Sequence, residues 1–163
     1  VMSITSESRS LPALGKSERE QVGAELQATL VELVDLSLLG KQLHWSVVGP
    51  LFRPLHLYLD DLVESWRGLA DTVAERAVAI GVWPDGQCQA VASGSDLQHL
   101  ERGPIEDRLV LSELVERLSD AAAHSRGRMS RLSELDPASE DVLIEVVRAL
   151  EEQLWMARAQ LGR

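Results

Sequence analysis

His56, Asp60, Asp71 and Glu75 fall within one helix-forming stretch, residues 54–80, and imidazole combined with carboxylate is a donor set that suits iron or zinc. The set reads the same inward from both ends. His56 and Glu75 lie equally far from the midpoint between Ser65 and Trp66, and so do Asp60 and Asp71. At ~100° per residue the four fall at about 0°, 40°, 60° and 100° around the helix, on one face. Along its axis Asp60 and Asp71 stand roughly 16 Å apart, too far to share a coordination sphere. A common metal therefore needs two antiparallel copies of the helix, related by a two-fold axis near Ser65 and Trp66. His44, near the end of the preceding helical pattern, joins His56 and Asp60 if the two helices form a hairpin.

Four long helical patterns position these residues. The first opens at Ser17 to Glu20, spaced as a capping box, and runs through Val22, Leu26, Leu30, Leu33 and Leu43 to about Val47, where Gly49 and Pro50 stop it. Val31, Val34, Leu36, Leu38 and Leu39 give it more apolar positions than one core stripe requires, which predicts a second buried face against another subunit. The second runs from about Pro54 to Gly81, with Leu55, Leu59, Leu62, Trp66, Leu69, Val73 and Ile80 as its stripe. That stripe centres near −100°, so the candidate ligands point away from the chain's own core. Residues 81–105 form a long connection with a short helix expected around Asp96 to Glu101 and Trp83 pinning it. A third helix over 106–134 and a fourth after Asp136-Pro137 complete the pattern. Two hairpins joined by one crossover describe an all-α, ferritin-like four-helix bundle. No Glu-x-x-His occurs, so an inward-facing di-iron site is disfavoured.

The chain of 163 residues suits a single domain, read as a flexible Ser-rich tail over 1–16 and the bundle over 17–163. A net charge of −10 argues against a broad basic nucleic-acid face and suits cations. No apolar run is long enough for a membrane span, no signal peptide is read, and a cytoplasmic or nucleoid-associated protein is expected. Cys88, the only cysteine, excludes an internal disulfide. Phosphate loops, nucleophile elbows and zinc-type cysteine pairs are absent. Charged residues opposite a core stripe are also what any solvated helix face presents, so spacing alone leaves that reading open beside the metal site.

Lys41-Gln42-Leu43-His44-Trp45-Ser46-Val47-Val48-Gly49, then Phe52, Leu55-His56, Asp60, Asp71 and Ala74-Glu75-Arg76 resembles the signature of the Dps proteins, miniferritins named for DNA protection in starved bacteria. The spacing of all five ligand positions matches, the helix order covers essentially the whole chain, and Pro84-Asp85-Gly86 falls in the crossover. Ser46 stands where an Asn is common. The resemblance implies a homo-oligomeric dodecamer, a hollow shell with ferroxidase sites at two-fold interfaces. His44, His56 and Asp60 would come from one chain, Asp71 and Glu75 from its partner. It implies oxidation of Fe(II), with hydrogen peroxide the preferred oxidant, and storage of ferric mineral; the donor set itself leaves zinc as a competing occupant of the sites. The two sites of a dimer would lie about 22 Å apart on the helix rise. Trp45 resembles a family tryptophan proposed to intercept stray oxidising equivalents, and packing at the hairpin is an equal explanation.

Asp136, Glu140, Asp141 and Glu145 cluster at the start of the fourth helix. Acids there favour the helix dipole, and similar acids line three-fold iron pores in Dps shells. The tail offers only Arg9 and Lys16 as basic groups, against Glu7, so DNA binding is expected to be weak or absent. The rival reading is a nucleoid-binding structural protein with a vestigial metal site. His99 and His124 read as packed or surface histidines, Trp66 and Trp155 as core or interface residues.

Overall fold

The computed structural model describes residues 14–162. Four long helices, α1 (Lys16–Ser46), α2 (Phe52–Ala79), α4 (Asp107–Leu132) and α5 (Pro137–Gln160), form two antiparallel hairpins, and a seven-residue helix, α3 (Cys88–Gly94), sits in the crossover. Each long helix gives one stripe to a shared core that includes Leu26, Leu33, Leu59, Trp66, Leu118 and Leu150. Each such side chain taken out of water contributes on the order of 1.5–3 kcal/mol, which is what holds α1–α2 against α4–α5. Residues 1–13, most of the expected tail and Arg9 with it, lie outside the described residues, and Lys16 already belongs to α1.

Helix α1 starts one half-turn earlier than its capping signal. Gly15 N–H donates to Glu18 Oε2 at 2.8 Å, so Glu18 and not Glu20 satisfies the open end. The turn into α2 is set by Gly49, whose φ of +125° suits glycine alone. A Cβ there would also lie 2.6 Å from Asp107 Oδ2, the atom that accepts a hydrogen bond from Leu51 N–H at 2.8 Å. Two strands that the helical pattern did not foretell meet here, β1 (Val47–Val48) and β2 (Ile105–Glu106), paired parallel with Val47 opposite Ile105. The crossover thus returns along the whole length of the bundle and docks beside the loop that carries the α1–α2 turn.

The short helix lies earlier than Asp96 to Glu101. Buried Arg117 explains why: its guanidinium donates to the carbonyls of Gln98 and His99 at 2.9 and 3.0 Å, and both carbonyls turn toward α4 in a non-helical stretch. Arg117, together with Gln27 clasping both backbone groups of Asp85, pins the crossover; Trp83 does not, being 85% exposed. Helix α3 lies across α1 with Gly94 against Val31, and so covers part of the apolar surplus that sequence assigned to another subunit. Leu38 remains 55% exposed. Trp66 is fully buried and donates its indole N–H to Gln153 Oε1 at 2.7 Å, whereas Trp155 stands on the surface.

Candidate metal centre

His44 occupies the last turn of α1 and His56 the second turn of α2, so the Gly49 turn lays one imidazole over the other. Their ring centroids are 3.6 Å apart and the planes differ by 23°. Each ring is held by the other residue's backbone. His44 Nδ1 is 2.8 Å from the His56 carbonyl oxygen, and His56 Nδ1 is 3.0 Å from the His44 carbonyl oxygen. A carbonyl only accepts, so both Nδ1 atoms carry hydrogen, and in the neutral rings both Nε2 atoms keep a lone pair for a metal. Phe52 leans on His56 with its centroid 5.0 Å away.

Asp60, one turn beyond His56, brings Oδ1 to 3.2 Å from His44 Nδ1. Its nearest partner is Lys41 Nζ at 2.6 Å, a residue present in the sequence motif but given no role there. The Lys41 hydrogen bond outweighs desolvation and, aided by the positive potential of Lys41 and the imidazoles, holds the Asp60 carboxyl below the usual range. An anionic oxygen donor thus stands beside two imidazoles. The signal that could have found Lys41 is its spacing, one turn before His44 on the same face. Lys41 Nζ also lies 5.7 Å from the ring centre of Trp45, which is 69% exposed and so unpacked within the chain.

Asp71 and Glu75 are exposed on the same helix, away from this cluster. Asp71 lines an apolar groove of about 330 Å³ between α1 and α2 with Leu30, Val34, Leu38, Arg67 and Ala74. Among the described residues of one chain, no group of three or more His, Cys, Asp or Glu side chains is placed to enclose a metal. The structure brings together His44, His56 and Asp60 and leaves Asp71 and Glu75 facing outward.

The acids of α5 divide. Asp136 is buried; its Oδ2 accepts from Arg76 Nη2 at 2.7 Å and from the Ser139 hydroxyl at 2.5 Å, while Arg76 Nε donates to Ser139 Oγ at 2.9 Å. Burial alone raises the Asp136 carboxyl, but Ser139 and Arg76 outweigh it, and the group sits below the ordinary range. Asp136 therefore latches the start of α5 to α2 and is turned away from solvent, unlike an acid that lines a pore. Glu140 is half-buried, and Asp141 and Glu145 are exposed, lining a surface depression of about 800 Å³ with Arg148, Glu151 and Glu152. His124 is no free histidine: its Nδ1 lies 2.5 Å from Glu32 Oε1, and Arg128 donates to Glu32 Oε2 at 2.6 Å, so a buried carboxylate ties α1 to α4. Sequence reading missed this triad because Glu32 lies far along the chain from His124 and Arg128. His99 is exposed.

A family model for the ferritin-like domain matches residues 23–163. The DNA protection during starvation protein of Mycolicibacterium smegmatis is 35% identical over 153 residues, covering 93% of this chain and 82% of that protein. DNA protection during starvation protein 2 of Deinococcus radiodurans is 32% identical over 93% of this chain, which spans only 63% of that relative's length. Among solved structures, Mycobacterium smegmatis Dps superposes with a TM-score of 0.90 at 32% identity, covering 94% of this chain and 88% of that one.

Proposed function

The chain belongs to the Dps family of ferritin-like proteins, and on that premise we propose that it is a ferroxidase and iron store, oxidising Fe(II) at sites shared by two subunits and holding the ferric product. DNA protection and iron storage are the general business of the family; the shared site, hydrogen peroxide as preferred oxidant and a dodecameric shell are the finer reading. The observation that carries it is the reciprocal backbone lock on His44 and His56, which occupies both Nδ1 atoms, leaves both Nε2 atoms free to ligate, and has the Asp60 carboxylate 3.2 Å from His44 Nδ1. A packing histidine has no need of a fixed tautomer; a metal ligand does.

One chain supplies His44, His56 and Asp60, and the two-fold partner's copies of Asp71 and Glu75 close the sphere with hard oxygen donors. Two Fe(II) ions each yield one electron; the oxygen–oxygen bond of peroxide breaks, takes both electrons and two protons, and leaves as two waters. A two-electron reduction releases no hydroxyl radical. Protection then follows from consuming iron and peroxide together. Lys41 holds Asp60 until a cation replaces it. The exposed Asp141 and Glu145 would attract Fe(II) toward the shell. DNA binding is expected to be weak or absent given the net charge of −10, and a gel shift at physiological salt should show little or none.

The test is anaerobic Fe(II) loading followed by peroxide, with ferric absorbance and radical trapping, on the wild type and on His44→Ala combined with Glu75→Ala. The wild type should oxidise rapidly without trapped radical, and the double variant should lose the fast phase. Equal kinetics in the two would remove the ferroxidase assignment.

A further inference from the structure

The mirrored spacing on α2 continues inward past the candidate ligands. Glu64 and Arg67 flank the midpoint between Ser65 and Trp66 as evenly as Asp60 and Asp71 do. At ~100° per residue they lie on the same face, about 30° to either side of its centre. Both are exposed. Although oppositely charged and one turn apart, they do not pair within the helix, and neither forms an ion pair among the described residues. Beside Arg67 runs the groove of Ala70, Asp71, Ala74 and exposed Leu38, apolar and open within the single chain.

Resting on the two-chain site described above, we propose that Glu64 of each subunit pairs with Arg67 of the other, and that these reciprocal pairs set the register of the two α2 helices. In the antiparallel arrangement that places Glu75 opposite His56 and Asp71 opposite Asp60, each Glu64 stands level with the partner's copy of Arg67. Neighbouring registers are penalised. A slide of three residues, about 4.5 Å, brings Arg67 level with its own copy in one direction and Glu64 level with its own copy in the other. Like charges across an interface repel, so both slips are disfavoured where the wanted register is attractive. The apolar groove gives adhesion without register; the charges supply what it lacks. Metal ligands must be placed to within about 0.5 Å, far finer than such a slip. Glu64 and Arg67 are thus positioning residues, acting on iron only through the ligands they align.

Mixing two charge reversals tests this. Glu64→Arg alone sets arginine against arginine in its own dimer, and Arg67→Glu alone sets glutamate against glutamate. A mixed dimer of the two restores opposite charges at both positions. Native mass spectrometry on isotope-labelled chains should show each variant weakened in self-association by about tenfold per pair, and the mixture strongly enriched in mixed dimers. Pairing within one helix could not produce that enrichment. Mixed dimers at the statistical proportion, or single variants that associate as the wild type does, would overturn the inference. If a single variant fails to fold by circular dichroism, the chain carrying both reversals decides: wild-type self-association supports the pairing and its loss refutes it. Iron is absent from this readout, so enriched mixed dimers that fail to oxidise Fe(II) would leave the pairing standing and remove only the ferroxidase reading.

Discussion

Asp136→Asn separates a structural acid from acids that could serve iron. The substitution keeps the shape and one acceptor for the Ser139 hydroxyl but removes the charge that Arg76 pairs with. A hydrogen bond to a charged partner contributes about 1.5–3 kcal/mol. Arg76 is 19% exposed and regains some hydration when released, which places the expected loss near 2 kcal/mol at neutral pH. For a chain of this length that is a fall in Tm of about 4–8 °C. The sign of the pH dependence follows from the depressed carboxyl. Its contribution is fully present above the unfolded-state value of about 3.9 and is lost as pH falls through the lower folded-state value. Urea denaturation at fixed protein concentration should therefore show a constant gap between wild type and variant above about pH 5, narrowing in acid. Iron uptake at a temperature where both are folded should match. A gap that persists undiminished in acid, or slowed uptake in a folded variant, would refute the latch.

Three other outcomes follow from the same geometry. Asp141→Asn with Glu145→Gln removes two exposed acids that have no structural partner among the described residues, and should slow iron uptake severalfold at limiting Fe(II) while sparing peroxide consumption at saturating iron, read by stopped-flow absorbance. Lys41→Met frees Asp60 from its ammonium partner and should tighten divalent-cation binding severalfold in calorimetry; weaker binding would show that Lys41 positions the carboxylate instead of competing for it. Arg128→Met strands the buried Glu32 with His124 alone and should destabilise by about 3–5 kcal/mol in chemical denaturation, most of it recovered when Glu32→Leu is added.

Periodicity made the bundle legible. The stripes from Leu26 to Leu43 and from Leu55 to Ile80 mark the buried faces, because a 3.6-residue period is imposed by the core itself. The proximity of His44, His56 and Asp60 was legible for a related reason: a short turn forces neighbouring helices antiparallel. What the sequence hid is set by contacts between distant segments. Arg117 holds residues 98 and 99 out of a helix that their composition favours, so the short helix lies at Cys88–Gly94. Asp136 has the composition of a pore acid and the position of a helix cap, and only the arrival of Arg76 from α2 separates the two. Trp83 and Trp155 carry apolar side chains outward, which no pattern within one chain predicts.

The crossed hydrogen bonds of His44 and His56 also have a consequence in time. They close a loop of only twelve residues, and contacts of such short separation form early in folding, ahead of the parallel pairing of Val47 with Ile105 that awaits the whole crossover. On that order the imidazoles are oriented before the crossover docks, while Asp71 and Glu75 on the same chain face away from them. On the proposed two-chain site, a single chain holds half of the metal centre and cannot complete it. If the site is shared between chains as proposed, iron oxidation waits for a second folded chain.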